Sequence, residues 1–266
     1  MTVRAPMTFP SRLAAPISAL QATFLPGWIA GLFIALLAGL VPVLPARALA
    51  AEPVYDDYDA FYGALPGAVF DTPLTTSDNT LYSYADRPGM YVDAQTSFYG
   101  QRLKIEIGED RIVVNGRDFR FRRATTFRRE QFSKIYPASA TVFASDANGN
   151  RPPMLCVTGH SDGSGEANRH AQIYLLLDPL GIRGRPRLLH LPSLLSSCRA
   201  VIASEAGELL FPKNTYVIDT EGEARTGLLI SYYTFRNRFV AADRPPLRLR
   251  FAEPENPFRF TVQNGD

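Results

Sequence analysis

The chain has 266 residues, with 28 Lys+Arg against 26 Asp+Glu, three histidines, two cysteines and one tryptophan. The formal charge of +2 is too small to create a global field that favours polyanions, which argues against a nucleic-acid-binding class.

The N-terminus reads as a targeting segment. Arg4 and Arg12 are the only charges before Arg47, and the densest apolar run is "WIAGLFIALLAGLVPVL", Trp28 to Leu44. Ala48 and Ala50 supply the small-residue pattern that precedes cleavage, beside Pro42 and Pro45. Residues 1–50 are therefore expected to be a cleaved secretory signal. An uncleaved anchor is the alternative, because the run is long enough to span a bilayer. Either way the rest lies outside the cytoplasm, periplasmic or extracellular, and meets a membrane only through this segment. Loss of three arginines leaves 25 basic against 26 acidic side chains, a net charge of −1. The remaining length suits one sizeable core or two small packed units.

"YDDYDAFYGAL" places Tyr55, Tyr58, Phe61, Tyr62 and Leu65 at helical spacing and predicts a short helix. In "RLKIEI", Leu103, Ile105 and Ile107 alternate with Lys104 and Glu106, the period of a half-buried strand. "GED" turns the chain into "RIVV", and Asn115-Gly116 turns it again, since both residues accept positive φ. "RDFRFRR" completes a three-stranded meander, with Phe119 and Phe121 on one face and Arg120 and Arg122 on the other. "TFRREQFSKIY", residues 126–136, is expected to form a short amphipathic helix. "ATVFAS", a polar turn "DANGN" and "MLCVTGH" follow. Then come "AQIYLLL", "RAVIAS", "ELLF", "TYVID", "GLLISYYTF", "LRLRF" and "FRFTV". Leu247, Leu249 and Phe251 alternate with Arg248 and Arg250, and Phe258, Phe260 and Val262 with Arg259 and Thr261. Short strands between Gly, Pro, Asn and Asp turns predict an all-β protein with one or two short helices. Its antiparallel meanders would form a sandwich, a barrel or a propeller-like stack. Residues 51–266 read as one β-rich domain, softly subdivided near 126–140, with no Gly/Ser linker to mark two independent ones.

Cys156 and Cys198 are expected to pair, because an exported chain with two cysteines has one intramolecular disulfide available. "VTGHSDG", residues 157–163, contains G-x-S-x-G and resembles the nucleophile elbow of the α/β-hydrolases over five residues. That resemblance implies Ser161 as nucleophile, with His170 or His190 as base. The surroundings depart from the family. No HGGG-type segment precedes Ser161, the upstream chain is a meander, and His190 is only 29 residues on. The segment after Ser161, "SGEANRHAQIYLLLD", suits either a helix capped by Ser164 or a turn and a strand.

His160, His170 and His190, with Asp162 and Glu166 between them, match no compact zinc spacing. "DANGN" has Arg151 where an EF-hand loop needs glycine. No metal and no cofactor is therefore expected. "GRDFRFRRATTFRREQFSK" interleaves six arginines with four phenylalanines. If its strand pairs with "LRLRF", Arg120, Arg122, Arg248 and Arg250 make a guanidinium stripe suited to carboxylate or another anion. The only tryptophan, Trp28, leaves with the signal, which disfavours a carbohydrate module.

The leading expectation is an exported, non-enzymatic binding protein, inhibitor- or immunity-like, on a disulfide-stapled β scaffold. Its partner would be another protein or an anionic envelope component. The alternatives are a serine hydrolase using Ser161 and an envelope component that binds anionic lipid through the Arg/Phe stripe.

Overall fold

The computed structural model describes residues 53–74, 81–161 and 169–263, so the expected signal at 1–50 lies outside the described residues. Residues 50–266 form a compact unit of their own. Strands make up 53% of the structure and helical turns 8%, which places the chain in the all-β class.

β1 (Val54–Tyr55) leads into α1 (Tyr58–Gly63), whose start is capped by Asp57 accepting from the N–H groups of Asp59 and Ala60. A six-residue helix is too short to persist alone. It is held by packing: Phe61 and Tyr62 are buried, and the Phe61 ring meets Phe260 edge-on at 5.6 Å. The expected meander is present and longer by two strands. It runs β2 (Tyr82–Tyr84), β3 (Arg87–Phe98), β4 (Gln101–Gly108), β5 (Arg111–Val114) and β6 (Arg117–Arg120), each antiparallel to the next. Asn115 and Gly116 turn β5 into β6 with φ of 49° and 81°, the left-handed geometry that the dipeptide favours.

β7 (Thr125–Thr126), β8 (Thr141–Ser145), β9 (Met154–Gly159), β10 (His170–Leu177) and β11 (Arg187–His190) form a second sheet in the order β7-β11-β10-β9-β8, with β12 (Ser193–Leu194) on the far end of β10. Met154 to Val157 and Ile173 to Leu176 are each fully buried, without alternation. Both faces of this sheet are covered. One face packs on the meander through Ile105, Ile112, Leu155, Val157, Tyr174 and Leu176. The other face packs Phe143, Cys156 and Leu175 with Cys198, Val201 and Phe211.

The third sheet contains β13 (Ile202–Ala203), β14 (Leu209–Ile218), β15 (Arg225–Phe235), β16 (Phe239–Ala241), β17 (Leu247–Glu253) and β18 (Asn256–Gln263), with β1 at its edge. Its inner face buries Leu228, Ile230, Leu249, Phe251 and Phe260 against α1. The architecture is a set of packed sheets, antiparallel except where β7 pairs parallel to β11.

Three local expectations are corrected. Residues 126–136 are not helical. β7 runs into a turn closed by Glu130 N–H donating to Phe127 O at 3.1 Å, and the chain beyond, to Tyr136, has no regular secondary structure. The backbone finds tertiary partners instead of helical ones. The Tyr174 hydroxyl donates to Ser133 O and accepts Ser133 N–H, Ile135 N–H donates to Glu109 O at 3.0 Å, and Tyr136 N–H to His160 O at 2.8 Å. Phe132 and Tyr136, on the supposed apolar stripe, are 49% and 43% exposed. "ELLF" and "TYVID" are one strand, β14, which runs through Pro212. Pro212 is tolerated because β13 pairs only with Leu209 and Leu210 and leaves that side of Pro212 without a partner strand. Phe258 lies beyond the core, 55% exposed, with the Arg169 guanidinium 5.6 Å over its ring.

Candidate functional site

Ser161 lies two residues beyond β9, after His160, and is partly exposed. The neighbouring His160 Nδ1 lies 3.1 Å from the Ser161 backbone oxygen, so that imidazole is engaged with main chain. β10 returns antiparallel beside β9 with Gln172 opposite Gly159, so the link between them joins neighbouring strands. A nucleophile elbow needs a strand entering a helix. Asp162, Gly163, Ser164 and Glu166 lie outside the described residues.

His170 is exposed at the start of β10, opposite Leu194. His190 is fully buried on β11, opposite Tyr174. Its ring completes a stack in which Phe121 and Tyr174 are 3.7 Å apart and Tyr174 and His190 4.5 Å. Nε2 lies 2.8 Å from Gln172 Oε1, an acceptor only, so Nε2 carries the proton. Nδ1 is buried without a partner. Burial pushes the His190 imidazole down to about 4, against a smaller upward pull from the Glu130 carboxylate. The side chain is thus neutral at neutral pH, its basic nitrogen sealed inside the protein. Among the described residues no three His, Cys, Asp or Glu side chains converge as metal ligands.

The strand pairing that would unite the arginine stripe does not form. Arg120 sits on β6 with Nε 3.8 Å from Asp118, and Arg122 is exposed in a 3-10 turn, Phe121–Arg123. Arg248 and Arg250 are exposed on β17, opposite Leu229 and Gly227. β6 and β17 belong to different sheets, so the two pairs do not join.

Cys156 of β9 is bonded to Cys198. The bond anchors the chain just before β13 and the exposed turn Ser204–Glu208 that joins β13 to β14. Ser204 N–H donates to Glu208 O at 2.8 Å, Glu208 N–H to Ser204 Oγ at 3.1 Å, and Gly207 takes φ of 80°. Ala203 N–H also donates to Gly67 O at 2.7 Å. A Cβ at Gly67 would stand 2.0 Å from Ala203 O, so this contact requires glycine.

This fastened turn is the common wall of two clefts. One, of about 580 Å³, is lined by Leu65, Ile202 and Leu210 and by the charged side chains of Glu205, Glu208, Asp243 and Arg244. The other, of about 520 Å³, shares Glu205 and Glu208 and is floored by Leu177, Leu209, Phe211 and Phe235. A third, of about 270 Å³, shares Asn150, Pro152 and Leu177 with the second and carries Arg183, Arg185 and Arg187. Shared lining residues place the three clefts side by side as a segmented groove: Arg244 stands with the acids of the first, Glu205, Glu208 and Arg151 edge the largely apolar second, and the third is the basic end. The basic end is built by local bonds. Asp178 accepts the backbone N–H groups of Ile182, Arg183 and Gly184, and Arg183 Nη1 donates to Gly149 O at 2.7 Å. Arg151, which lines the middle cleft, has a buried Nε without a partner.

Comparisons of the chain with known families, curated proteins and solved structures give no match. The groove residues escaped the sequence reading because "SEAGE" and "GIRGRPR" looked like separators between strands. The clustered charges in those two loops were the available signal.

Proposed function

We propose that residues 51–266 are an exported, non-catalytic binding protein whose groove receives an extended segment of another polypeptide. The observation that carries this reading is the three-cleft groove walled by a turn that the Cys156–Cys198 bond and the Gly67 contact fasten. A preorganised wall lowers the ordering cost of binding. The apolar floor suits hydrophobic side chains. Glu205, Glu208 and Asp243 suit a basic residue at one end, and Arg185 and Arg187 an acidic residue at the other.

Selection of a random peptide display library against residues 51–266 tests it. Enriched sequences should place Lys or Arg and Asp or Glu on either side of an apolar stretch. Their binding should fall with Glu205→Lys/Glu208→Lys and recover when the basic residue of the peptide is exchanged for an acidic one. Peptides indifferent to these charges would refute the groove as the site.

A further inference from the structure

A second surface gathers charge that the groove does not use. Arg122 and Arg123 occupy the exposed 3-10 turn before β7, and Arg128 and Arg129 the tip of the turn after it. Arg236 and Arg238 flank the exposed turn between β15 and β16. One ring contact joins the second of these segments to the third, and a hydrogen bond ties the third to β11. The Phe127 and Phe239 rings lie 4.3 Å apart, which seats one turn against the other. Arg187 Nη1 donates to Arg236 O at 3.3 Å, so the patch adjoins the basic end of the groove.

The nearby acids are already engaged. Glu130 takes Lys213 at 2.7 Å, Asp118 takes Arg111 at 3.1 Å, and Glu109 takes Lys134 at 3.0 Å. Among the described residues, no carboxylate lies within ion-pairing distance of Arg122, Arg123, Arg128, Arg129, Arg236 or Arg238. Phe132 stands 49% exposed three residues beyond Arg129. Arg129 itself has φ of 72°, backbone that a turn ordinarily gives to glycine. A charged side chain held in unfavourable backbone at a turn tip marks a position where the side chain has a use.

We propose that this arginine face docks the protein on the phosphate groups of an anionic lipid surface, with Phe132 entering the headgroup layer. Guanidinium groups match phosphate oxygens two at a time. Unpaired arginines beside an exposed aromatic ring are the combination an interfacial contact uses. The surface adjoins the proposed peptide groove but uses none of its charged residues, and it does not depend on that reading.

Co-sedimentation of residues 51–266 with phosphatidylglycerol vesicles and with phosphatidylcholine vesicles tests it. Binding should be confined to phosphatidylglycerol and fall as salt rises. Each arginine removed should weaken it by about five-fold. Arg129→Gly is the decisive variant: it should weaken vesicle binding by about that factor while thermal stability stays level or rises, because glycine suits the turn. Arg236→Ala/Arg238→Ala should weaken binding further, and Arg248→Ala/Arg250→Ala should not. Equal sedimentation with both lipids, or Arg129→Gly without effect, would overturn the proposal. So would soluble polyphosphate binding without vesicle binding, which would assign the arginines to free phosphate instead.

Discussion

The buried imidazole of His190 makes stability depend on pH in a specific way. In the unfolded chain a histidine takes a proton near 6.5, and in the folded protein burial lowers that to about 4. Between those values the unfolded chain binds more protons, so folding is increasingly disfavoured as pH falls from 6.5 to 4. Above 6.5 the contribution is fully present, and below 4 it is gone. The shift corresponds to about 3 kcal/mol in all. For a body of this size that is roughly 10 °C in melting temperature. His190→Phe keeps a ring in the stack with Tyr174 and removes the titration. It also leaves Gln172 Oε1 without its donor, which costs about 1–3 kcal/mol at every pH. Urea unfolding of both proteins from pH 7 to pH 3.5 separates the two effects, since every group other than residue 190 is common to both. The wild-type protein should lose about 3 kcal/mol more than the variant across the window. Parallel pH profiles would refute the account of His190 as a sealed, neutral core residue.

Other predictions follow from single contacts. Cys156→Ala/Cys198→Ala opens a loop of 42 residues and should lower stability by about 4 kcal/mol, read by urea unfolding against the oxidised protein. Gly67→Ala sets a Cβ against Ala203 O in backbone with φ of 83°, and should destabilise by about 2 kcal/mol or more while weakening groove-bound peptides. Gly116→Ala meets open space and should cost only about 1 kcal/mol, from φ alone, in a melting experiment. A fluorophosphonate probe should label the protein no more than its Ser161→Ala variant. Ser161-dependent labelling would establish a nucleophile and displace the binding reading.

Much of this protein was legible in local pattern. Alternation in "RLKIEI" and "LRLRF" marked strands because side chains on a pleat switch faces at every residue. Asn115-Gly116 marked a hairpin because both residues accept the left-handed geometry it needs, and two cysteines left one intramolecular pairing to expect. What local pattern could not decide was which surfaces meet. Residues 126–136 have a helical apolar spacing, yet the Tyr174 hydroxyl and the carbonyls of Glu109 and His160 bond their backbone in an irregular, non-helical form. Arg122 and Arg248 looked like one stripe until strand order put them in separate sheets, while Arg128 and Arg238 became neighbours through Phe127 and Phe239. The groove draws on Leu65, Leu177, Glu205 and Asp243, far apart in the chain, and exists only where sheet pairing assembles them. Periodicity and turn chemistry act between near neighbours along the chain, whereas a cleft or a charged face is set by contacts between distant segments.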